Sequence, residues 1–250
     1  MNRFVVLRTH GGVGNQLFQI LYGRLYAEEN ELQLTEVHDT RYPHAFPRST
    51  LIHNAPVPNA YQKTISLTRS PKVFQRFFGR KENPLKFGKT TYIDGYFQAR
   101  ENYTSFAEES ISQHLNRLRA ELSIEPANIK TKLVHLRMGD FFKDRAAAKK
   151  HVLERFSTIA EGSHIMTNDE LLLEDIDVVN FIKSKNLVLL TTGGASAEEV
   201  LRLMSRYKYI DANDSTLTFW SSVLGGSHVT FKNEKLRKCR EYLLDCLSNR

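Results

Sequence analysis

The sequence has little cysteine and no long apolar run. Its two cysteines, Cys239 and Cys246, lie seven positions apart in a helical pattern, so their Cα atoms are about 10 Å apart, beyond disulfide reach. So few thiols, with no histidine cluster at ligand spacing, exclude both a disulfide framework and a zinc site. No apolar segment approaches the roughly 20 residues of a membrane span, and the run at residues 4–7 is too short for a secretory leader. We therefore expect a cytoplasmic protein.

Several catalytic motifs are also missing. The sequence contains no Gly-x-Ser-x-Gly elbow, no P-loop and no His-Glu-x-x-His, which removes several hydrolase classes. Asp175-Ile-Asp177 spells the two-carboxylate pattern with which many transferases hold a divalent ion. It begins a predicted helix and does not leave a buried strand, so a charged helix start is the better interpretation. The sequence predicts no metal site.

Charge of one sign is in excess. With 35 Lys and Arg against 28 Asp and Glu, the formal net charge is +7, which favours acidic partners such as nucleotides, anionic lipid or nucleic acid. The densest basic segment, residues 69–89, has phenylalanines between its cations. It fits a solvated helix face with an apolar stripe or a membrane-surface patch that meets a lipid-linked substrate. The other lysines are dispersed and no reader module is recognisable, so we expect no nucleic-acid partner.

Strand and helix patterns alternate along all 250 residues. The alternation starts afresh after residues 123–131, a segment that contains Pro126 and Asn128. It predicts an α/β fold of two domains, residues 1–125 and 126–250, each with a parallel sheet, and a cleft between them. The predicted strands are 4–9, 32–37, 90–97, 132–137, 164–167, 187–192 (the strongest) and 208–211. The first predicted helix starts after the turn at 10–16. The other predicted helices cover 103–122, 146–159, 175–184, 197–206, 215–224 and 234–247.

The most informative segment is His135-Leu-Arg-Met-Gly-Asp140, at the end of a predicted strand. Period-two geometry puts His135 and Arg137 on one side of the strand, and Gly139 lets the chain turn and expose Asp140. Open α/β sheets bind ligands at that end, and a guanidinium matches phosphate oxygens bidentately. The pattern indicates a phosphorylated ligand on Arg137. The alternative is a turn closed by an ion pair between Arg137 and Asp140.

A second motif, Gly11-Gly-Val-Gly-Asn-Gln16, opens the first predicted helix. It is similar to a dinucleotide fingerprint, and Glu36 falls near the spacing of a ribose-binding acid. Leu17, however, stands at the third glycine position and would hinder close packing of helix and strand. The glycines equally suit a plain tight turn, or an anion or sugar approaching a helix amino terminus. An NAD(P)-dependent oxidoreductase therefore stays open as an alternative.

Two further polar clusters follow predicted strands. Asp214-Ser-Thr216 opens a helix, where the hydroxyls of Ser215 and Thr216 suit either ordinary caps or phosphate ligands. Thr167-Asn-Asp169 alone fits a turn or a helix cap.

Five motifs then stand in order along the chain: Gly11 to Gln19, Gly95-Tyr-Phe-Gln98 with Tyr103, His135 to Asp140, Thr167 to Asp169, and Asp214 to Trp220. Together they resemble glycosyltransferase family 11, the α-1,2-fucosyltransferases. The resemblance implies a GT-B type fold of two Rossmann-like domains that face a cleft, with the donor GDP-fucose bound mainly by the second half and the acceptor glycan by the first. It implies no metal and no other cofactor.

The resemblance also implies roles for individual residues. Arg137 corresponds to the arginine that contacts the donor pyrophosphate, while His135 and Asp140 match the other fixed polar positions of that motif. The acceptor hydroxyl needs a proton acceptor, for which Asp140, Asp39 and His135 are the candidates. The donor-binding candidates are Gly12, Gly14, Asn15, Gln16, Asp169, Ser215 and Thr216.

The expected activity is an inverting, metal-independent transfer of L-fucose from GDP-fucose to a glycan hydroxyl, with O2 of galactose as the expected position. By the same resemblance we expect a bacterial enzyme of O-antigen or capsule synthesis, peripheral at the inner face of the plasma membrane. Another deoxysugar nucleotide, such as GDP-colitose, is the alternative donor.

Overall fold

The structure is a computed structural model that describes residues 4–38, 84–87, 90–136, 144–156, 159–167, 174–190 and 192–248. The chain divides into two compact units, residues 1–114 and 115–250. Each unit holds one β-sheet, and helices connect the strands of each sheet. Within the described ranges, no helix is long and apolar enough to cross a membrane.

The first unit contains a four-stranded sheet in the order β2-β1-β4-β3, parallel except for the edge strand β3. Its elements are β1 (Phe4–Thr9), α1 (Val13–Glu29), β2 (Gln33–His38), β3 (Leu85–Phe87), β4 (Thr90–Ile93), a 3-10 turn (Arg100–Asn102) and α2 (Glu108–Glu121), which runs on into the second unit.

Helix α1 is almost wholly buried and packs closely on β1. The close approach occurs at Gly23, where a Cβ atom would lie 2.7 Å from Cδ2 of Leu7. Leu17 is fully buried in the same core. The expectation that Leu17 hinders helix and strand packing is therefore wrong, because a glycine further along the helix provides the necessary space.

The second unit contains five parallel strands in the order β7-β6-β5-β8-β9. Its elements are β5 (Ile129–Leu136), α3 (Arg145–Phe156), β6 (His164–Thr167), α4 (Ile176–Ser184), β7 (Val188–Leu190), α5 (Ala197–Ser205), β8 (Tyr207–Ala212), α6 (Thr216–Gly225), β9 (His228–Val229) and α7 (Glu234–Ser248). Counted along the chain, the strand order is 3-2-1-4-5, as in the Rossmann fold.

Apolar side chains cover both faces of the second sheet. One cluster includes Val134 and Ile165 with Val178 of α4, and the other includes Leu133 and Met166 with Met204 of α5. Full burial of each such side chain contributes about 1.5–3 kcal/mol. The near-continuous apolar pattern of these short strands reflects burial on two faces.

Most predicted elements are confirmed, and the strands starting at Phe4 and His164 have the predicted bounds. The strand expected to be strongest is wrong in length: β7 has three residues at the sheet edge, and Val188 is 46% exposed. The strand predicted at 90–97 ends at Ile93. Strands β3 and β9 were not predicted. Both cysteines are buried, and neither forms a disulfide.

Candidate functional site

The order of the strands in the second sheet reverses between β5 and β8. These two strands are direct neighbours, and near their carboxyl ends His135 pairs with Ala212. An open parallel sheet binds ligands outside the carboxyl ends of its strands at such a switch point. Arg137 is the next residue but one after His135, and Ser215 follows Ala212 by three positions. Two of the predicted phosphate-binding motifs thus begin at neighbouring strands.

The start of α6 is built by its own polar side chains. Ser215 is buried, and its Oγ accepts a hydrogen bond from the backbone N–H of Thr218 at 3.1 Å. Asp214 accepts backbone N–H bonds from Lys232 at 3.0 Å and from Asn233 at 2.5 Å. Ser215 therefore caps the helix, which was one of the two roles that the sequence suggested for it. The partly exposed Thr216 and the first N–H groups of the helix are what this terminus offers to an anion.

Other predicted residues of the second unit divide between the described and undescribed ranges. His135 is 6% exposed in the central strand β5, and Thr167 is buried at the end of the adjacent strand β6. Arg137, Asp140 and Asp169 lie outside the described residues. Asp39, in the first unit, does so too.

The glycine loop of the first unit is held by its own amide side chains. Gly11 has a φ of +75°, and a Cβ atom there would lie 2.8 Å from Nδ2 of Asn15. Gln16, which is buried, donates from Nε2 to the Gly11 carbonyl at 2.7 Å. Gln98 donates to Oδ1 of Asn15 at 3.0 Å. Two of the motifs that resemble family 11 therefore bond to each other.

This loop leads into α1 without a side-chain cap. Gly12 is the N-cap residue in an extended conformation, and Gly14 is buried in the first turn. Glu36, the acid at ribose-binding spacing, lies 3.8 Å from the guanidinium of Arg24, and both side chains are about nine-tenths buried, at 10% and 8% exposure. Glu36 is thus paired with Arg24 in the interior of the first unit. The dinucleotide interpretation therefore loses the residue that was expected to bind ribose.

A polar cluster stands at the carboxyl edge of the first sheet, where β1 and β4 run parallel. We call Arg8, His10, Asp94 and Tyr96 the edge cluster. Nη1 of Arg8 is 2.5 Å from Oδ2 of Asp94, and Nε2 of His10 is 3.1 Å from Oδ1. The ring of Tyr96 meets that of His10 edge-on, with centroids 4.8 Å apart. The cluster thus combines an ionisable carboxylate, two basic side chains and an aromatic ring.

Asp94 is ionised at neutral pH. Partial burial raises the pKa of its carboxyl group, but the hydrogen bond from His10 and the charge of Arg8 outweigh burial and hold the pKa below its usual value. An ionised carboxylate only accepts hydrogen bonds, so His10 donates from Nε2. The Asp94 side chain as a whole is 45% exposed.

The backbone after Asp94 is held in an unusual turn. Phe97 has a φ of +50°, which costs a bulky side chain on the order of 1–3 kcal/mol. Its ring is fully buried and stacks on Tyr22 at 4.0 Å, and its carbonyl accepts from the Tyr103 hydroxyl at 2.9 Å. This packing fixes the chain on which Asp94 and Gln98 stand.

The edge cluster is not among the residues predicted from the sequence. The predicted strand ran through to residue 97, which put Asp94 inside it. Gly95 was the signal for an earlier end, because a glycine after an apolar strand often marks a turn. Read in that way, Asp94 is a carboxylate at the carboxyl end of a parallel strand, the position at which such sheets bind ligands.

The two-carboxylate pattern has a structural role. Asp175 caps α4 through the backbone N–H of Asp177, and Lys149 lies within 2.9 Å of the first carboxylate and 2.6 Å of the second. Among the residues that the structure describes, no group of three or more His, Cys, Asp or Glu is placed to hold a metal ion.

No protein-family model and no curated protein matches the chain. Solved structures do. One is NodZ α-1,6-fucosyltransferase soaked with GDP-fucose, which is 15% identical at a TM-score of 0.53, with 94% of this chain and 97% of that chain covered. Another is fucosyltransferase NodZ from Bradyrhizobium, 16% identical at a TM-score of 0.50, with coverage of 90% and 93%. The predicted α/β fold of GT-B type is confirmed by this likeness.

Proposed function

We propose that this chain is an inverting fucosyltransferase that moves L-fucose from GDP-fucose to a hydroxyl group of a glycan. One observation carries the proposal: the two segments predicted to bind phosphate begin at neighbouring parallel strands, β5 and β8, at the switch point of a Rossmann-like sheet. The motif resemblance to family 11 and the fold shared with fucosyltransferases point the same way.

The proposed chemistry relies on stabilising the leaving group. As the bond between fucose and phosphate lengthens, negative charge develops on GDP. Fixed cations and N–H groups stabilise that charge without having to reorganise during the reaction. We assign the main cationic role to Arg137. The Thr216 hydroxyl and the first turn of α6 supply further donors, with Ser215 holding the helix start in place.

The finer parts of the proposal concern linkage and acceptor. The motifs resemble α-1,2-fucosyltransferases, whereas NodZ, one of the structural neighbours, is an α-1,6-fucosyltransferase. We propose α-1,2 transfer to galactose in a bacterial surface polysaccharide, with GDP-colitose as the alternative donor. A lipid-linked acceptor would place the protein at the membrane surface through residues 69–89, of which only 84–87 are described. For the oxidoreductase alternative, the pairing of Glu36 with Arg24 removes the residue that suggested it.

A donor screen tests the proposal. The Tm of the purified protein is measured with GDP, GDP-fucose, GDP-mannose, UDP-galactose or NAD. Each ligand is present at about 100 µM, which is 100 times a Kd of about 1 µM. A ligand at that excess stabilises by about 2.7 kcal/mol, which raises the Tm by about 5–10 °C for a protein of 150–250 residues. We expect this rise with GDP and GDP-fucose only. A rise with NAD and none with GDP contradicts the proposal.

Product analysis tests the finer part. The protein is incubated with the donor that raises the Tm most and with lactose or another galactose-terminated oligosaccharide. The linkage of the product is determined by NMR. We expect fucose on O2 of galactose. A product fucosylated at O6 would support the proposed fucosyl transfer and contradict the proposed α-1,2 linkage.

A further inference from the structure

We propose that Asp94 and Tyr96 form a subsite for a hexose ring at the carboxyl edge of the first sheet, with the Asp94 carboxylate accepting sugar hydroxyls and the Tyr96 ring packing on a face of the sugar. The inference rests on the proposed function, which requires two sugars, the one transferred and the one that accepts it. The same chemistry serves either sugar, and the test below separates them.

The first argument is the hydrogen-bonding capacity that Asp94 retains. An ionised carboxylate has about four lone-pair positions on two oxygens. Within the described residues, Arg8 takes one position on Oδ2 and His10 takes one on Oδ1. One acceptor position therefore remains on each oxygen, on a side chain that is 45% exposed. Two adjacent hydroxyls of a pyranose present donors at the spacing that two such oxygens accept, and hydrogen bonds to a charged acceptor are the stronger kind.

The second argument is the aromatic surface beside that carboxylate. Tyr96 is 40% exposed, one of the few large side chains with apolar surface that the described residues leave so open. Its ring is held in a T-shaped contact with His10, at 4.8 Å between centroids, which limits its rotation. The C–H face of a pyranose is apolar, and it gains dispersion energy and buries apolar area on an aromatic ring held in place.

The third argument is rigidity. The buried Phe97, stacked on Tyr22, fixes the turn that carries Asp94 and Tyr96. The contact between Gln98 and Asn15 ties this turn to the glycine loop. Exposed ion pairs alone add little to stability, typically about 0.2–1 kcal/mol, so stability is a weak reason for two basic groups on one half-exposed carboxylate. A site for a flexible, hydrated sugar gains affinity when its groups are held in place beforehand.

The test uses variants of the full chain with a matched control. Asp94→Asn removes the charge, Tyr96→Ala removes the ring, and Tyr96→Phe restores it. The control is Glu28→Gln: Glu28 is also half-exposed, and its Oε2 lies 2.5 Å from a ring nitrogen of His114 and 2.9 Å from Ser110. It stands in the last turn of α1, away from the carboxyl edge. Circular dichroism and Tm confirm that each variant folds.

Two binding measurements read the sugar subsite. Fluorescently labelled protein is applied, with GDP present, to an array of galactose-, glucose- and N-acetylglucosamine-terminated oligosaccharides. Separately, calorimetry compares the Kd values of GDP and GDP-fucose. We expect Asp94→Asn and Tyr96→Ala to weaken one of these sugar-dependent signals tenfold or more, with Tyr96→Phe losing less than Tyr96→Ala. Affinity for GDP itself stays within twofold of wild type, as does every signal of Glu28→Gln.

The outcomes show which of the two sugars the subsite binds, and they distinguish failure of the subsite from failure of the proposed function. Loss of glycan binding identifies the acceptor sugar, and loss of the preference for GDP-fucose over GDP identifies the transferred one. Wild-type sugar signals in folded Asp94→Asn and Tyr96→Ala overturn the subsite while the proposed function stands. An equal loss in Glu28→Gln, or a wild-type protein that binds GDP but no sugar in either measurement, also overturns it. A wild-type protein that binds neither GDP nor GDP-fucose instead overturns the proposed function.

Discussion

At the scale of single residues, Asp94 has a pKa below its ordinary value, and it gives a pH prediction. Its pKa is lowered in the folded state, so its pairing with Arg8 and His10 contributes stability above the unfolded pKa of about 3.9, and this contribution is lost as pH falls through the lower folded value. Because the side chain is 45% exposed, the contribution is at most about 1 kcal/mol.

We therefore expect Asp94→Asn to lower the Tm by up to about 4 °C at pH 5–8, where the carboxylate is ionised in both states. The difference from wild type should shrink below pH 4. Differential scanning fluorimetry across this range measures it. A difference that grows as the solution is acidified would show that Asp94 is not held ionised by its basic neighbours.

The edge cluster also shows where sequence reasoning stops at this scale. A helix cap is a local feature. The capping role of Ser215 could therefore be predicted from the residues next to it in the sequence. His10 and Asp94 are 84 positions apart, and their contact depends on β1 pairing with β4. No local pattern carries that pairing, so residues that are ordinary in sequence become neighbours only in the fold.

At the scale of elements, the start of α6 separates a structural role from a binding role. Ser215→Ala removes the acceptor for the Thr218 N–H, and loss of a cap costs about 0.5–2 kcal/mol. We expect a lower Tm for Ser215→Ala. Thr216→Val keeps the cap, so we expect a near-normal Tm but a GDP affinity reduced several-fold, because the hydroxyl that we propose as a phosphate ligand is gone. Calorimetry with GDP and a thermal scan measure both; GDP affinity unchanged in Thr216→Val would remove this residue from the donor site.

The contact of α5 with α6 gives a prediction whose sign decides between two effects. A Cβ atom at Gly225 would lie 2.4 Å from the carbonyl oxygen of Ser205. Helix propensity alone favours Gly→Ala by roughly 0.5–1 kcal/mol. Overpacking against backbone typically costs about 1–3 kcal/mol, and here it should prevail. We expect Gly225→Ala to lower the Tm by several degrees in a thermal scan, and a raised Tm would mean that the helices are less closely packed.

Elements with a clear period were predictable, and those that depend on partners were not. Helix α5 shows both its amphipathic pattern and its capping residue, Ser196, in the sequence, and the structure has the full capping box with Glu199. The apolar run at 187–192 indicated a central strand, but of its described residues only Val188–Leu190 pair, at the sheet edge. Strand β9 has two residues, too few for any pattern, and exists because β8 lies beside it.

At the scale of the whole molecule, composition and alternation predicted the fold class, and the strand order added what they could not. Alternating elements indicate parallel sheets but leave open which strands are adjacent. The order 3-2-1-4-5 places β5 beside β8, and that adjacency, across 70-odd positions of sequence, brings the start of the Arg137 motif and the start of α6 to one edge. Function at this scale therefore depends on topology more than on any single motif.

The account depends most on the proposal that Arg137, the next residue in the sequence after β5, stabilises the departing diphosphate. The direct measurement is the steady-state turnover of GDP-fucose by the wild-type protein, Arg137→Ala and Arg137→Lys, with Glu28→Gln as the control. We predict that Arg137→Ala loses about 10²–10⁴ in rate, and that Lys restores little because a point charge lacks the planar pair of donors. Near-normal turnover by Arg137→Ala would contradict the account.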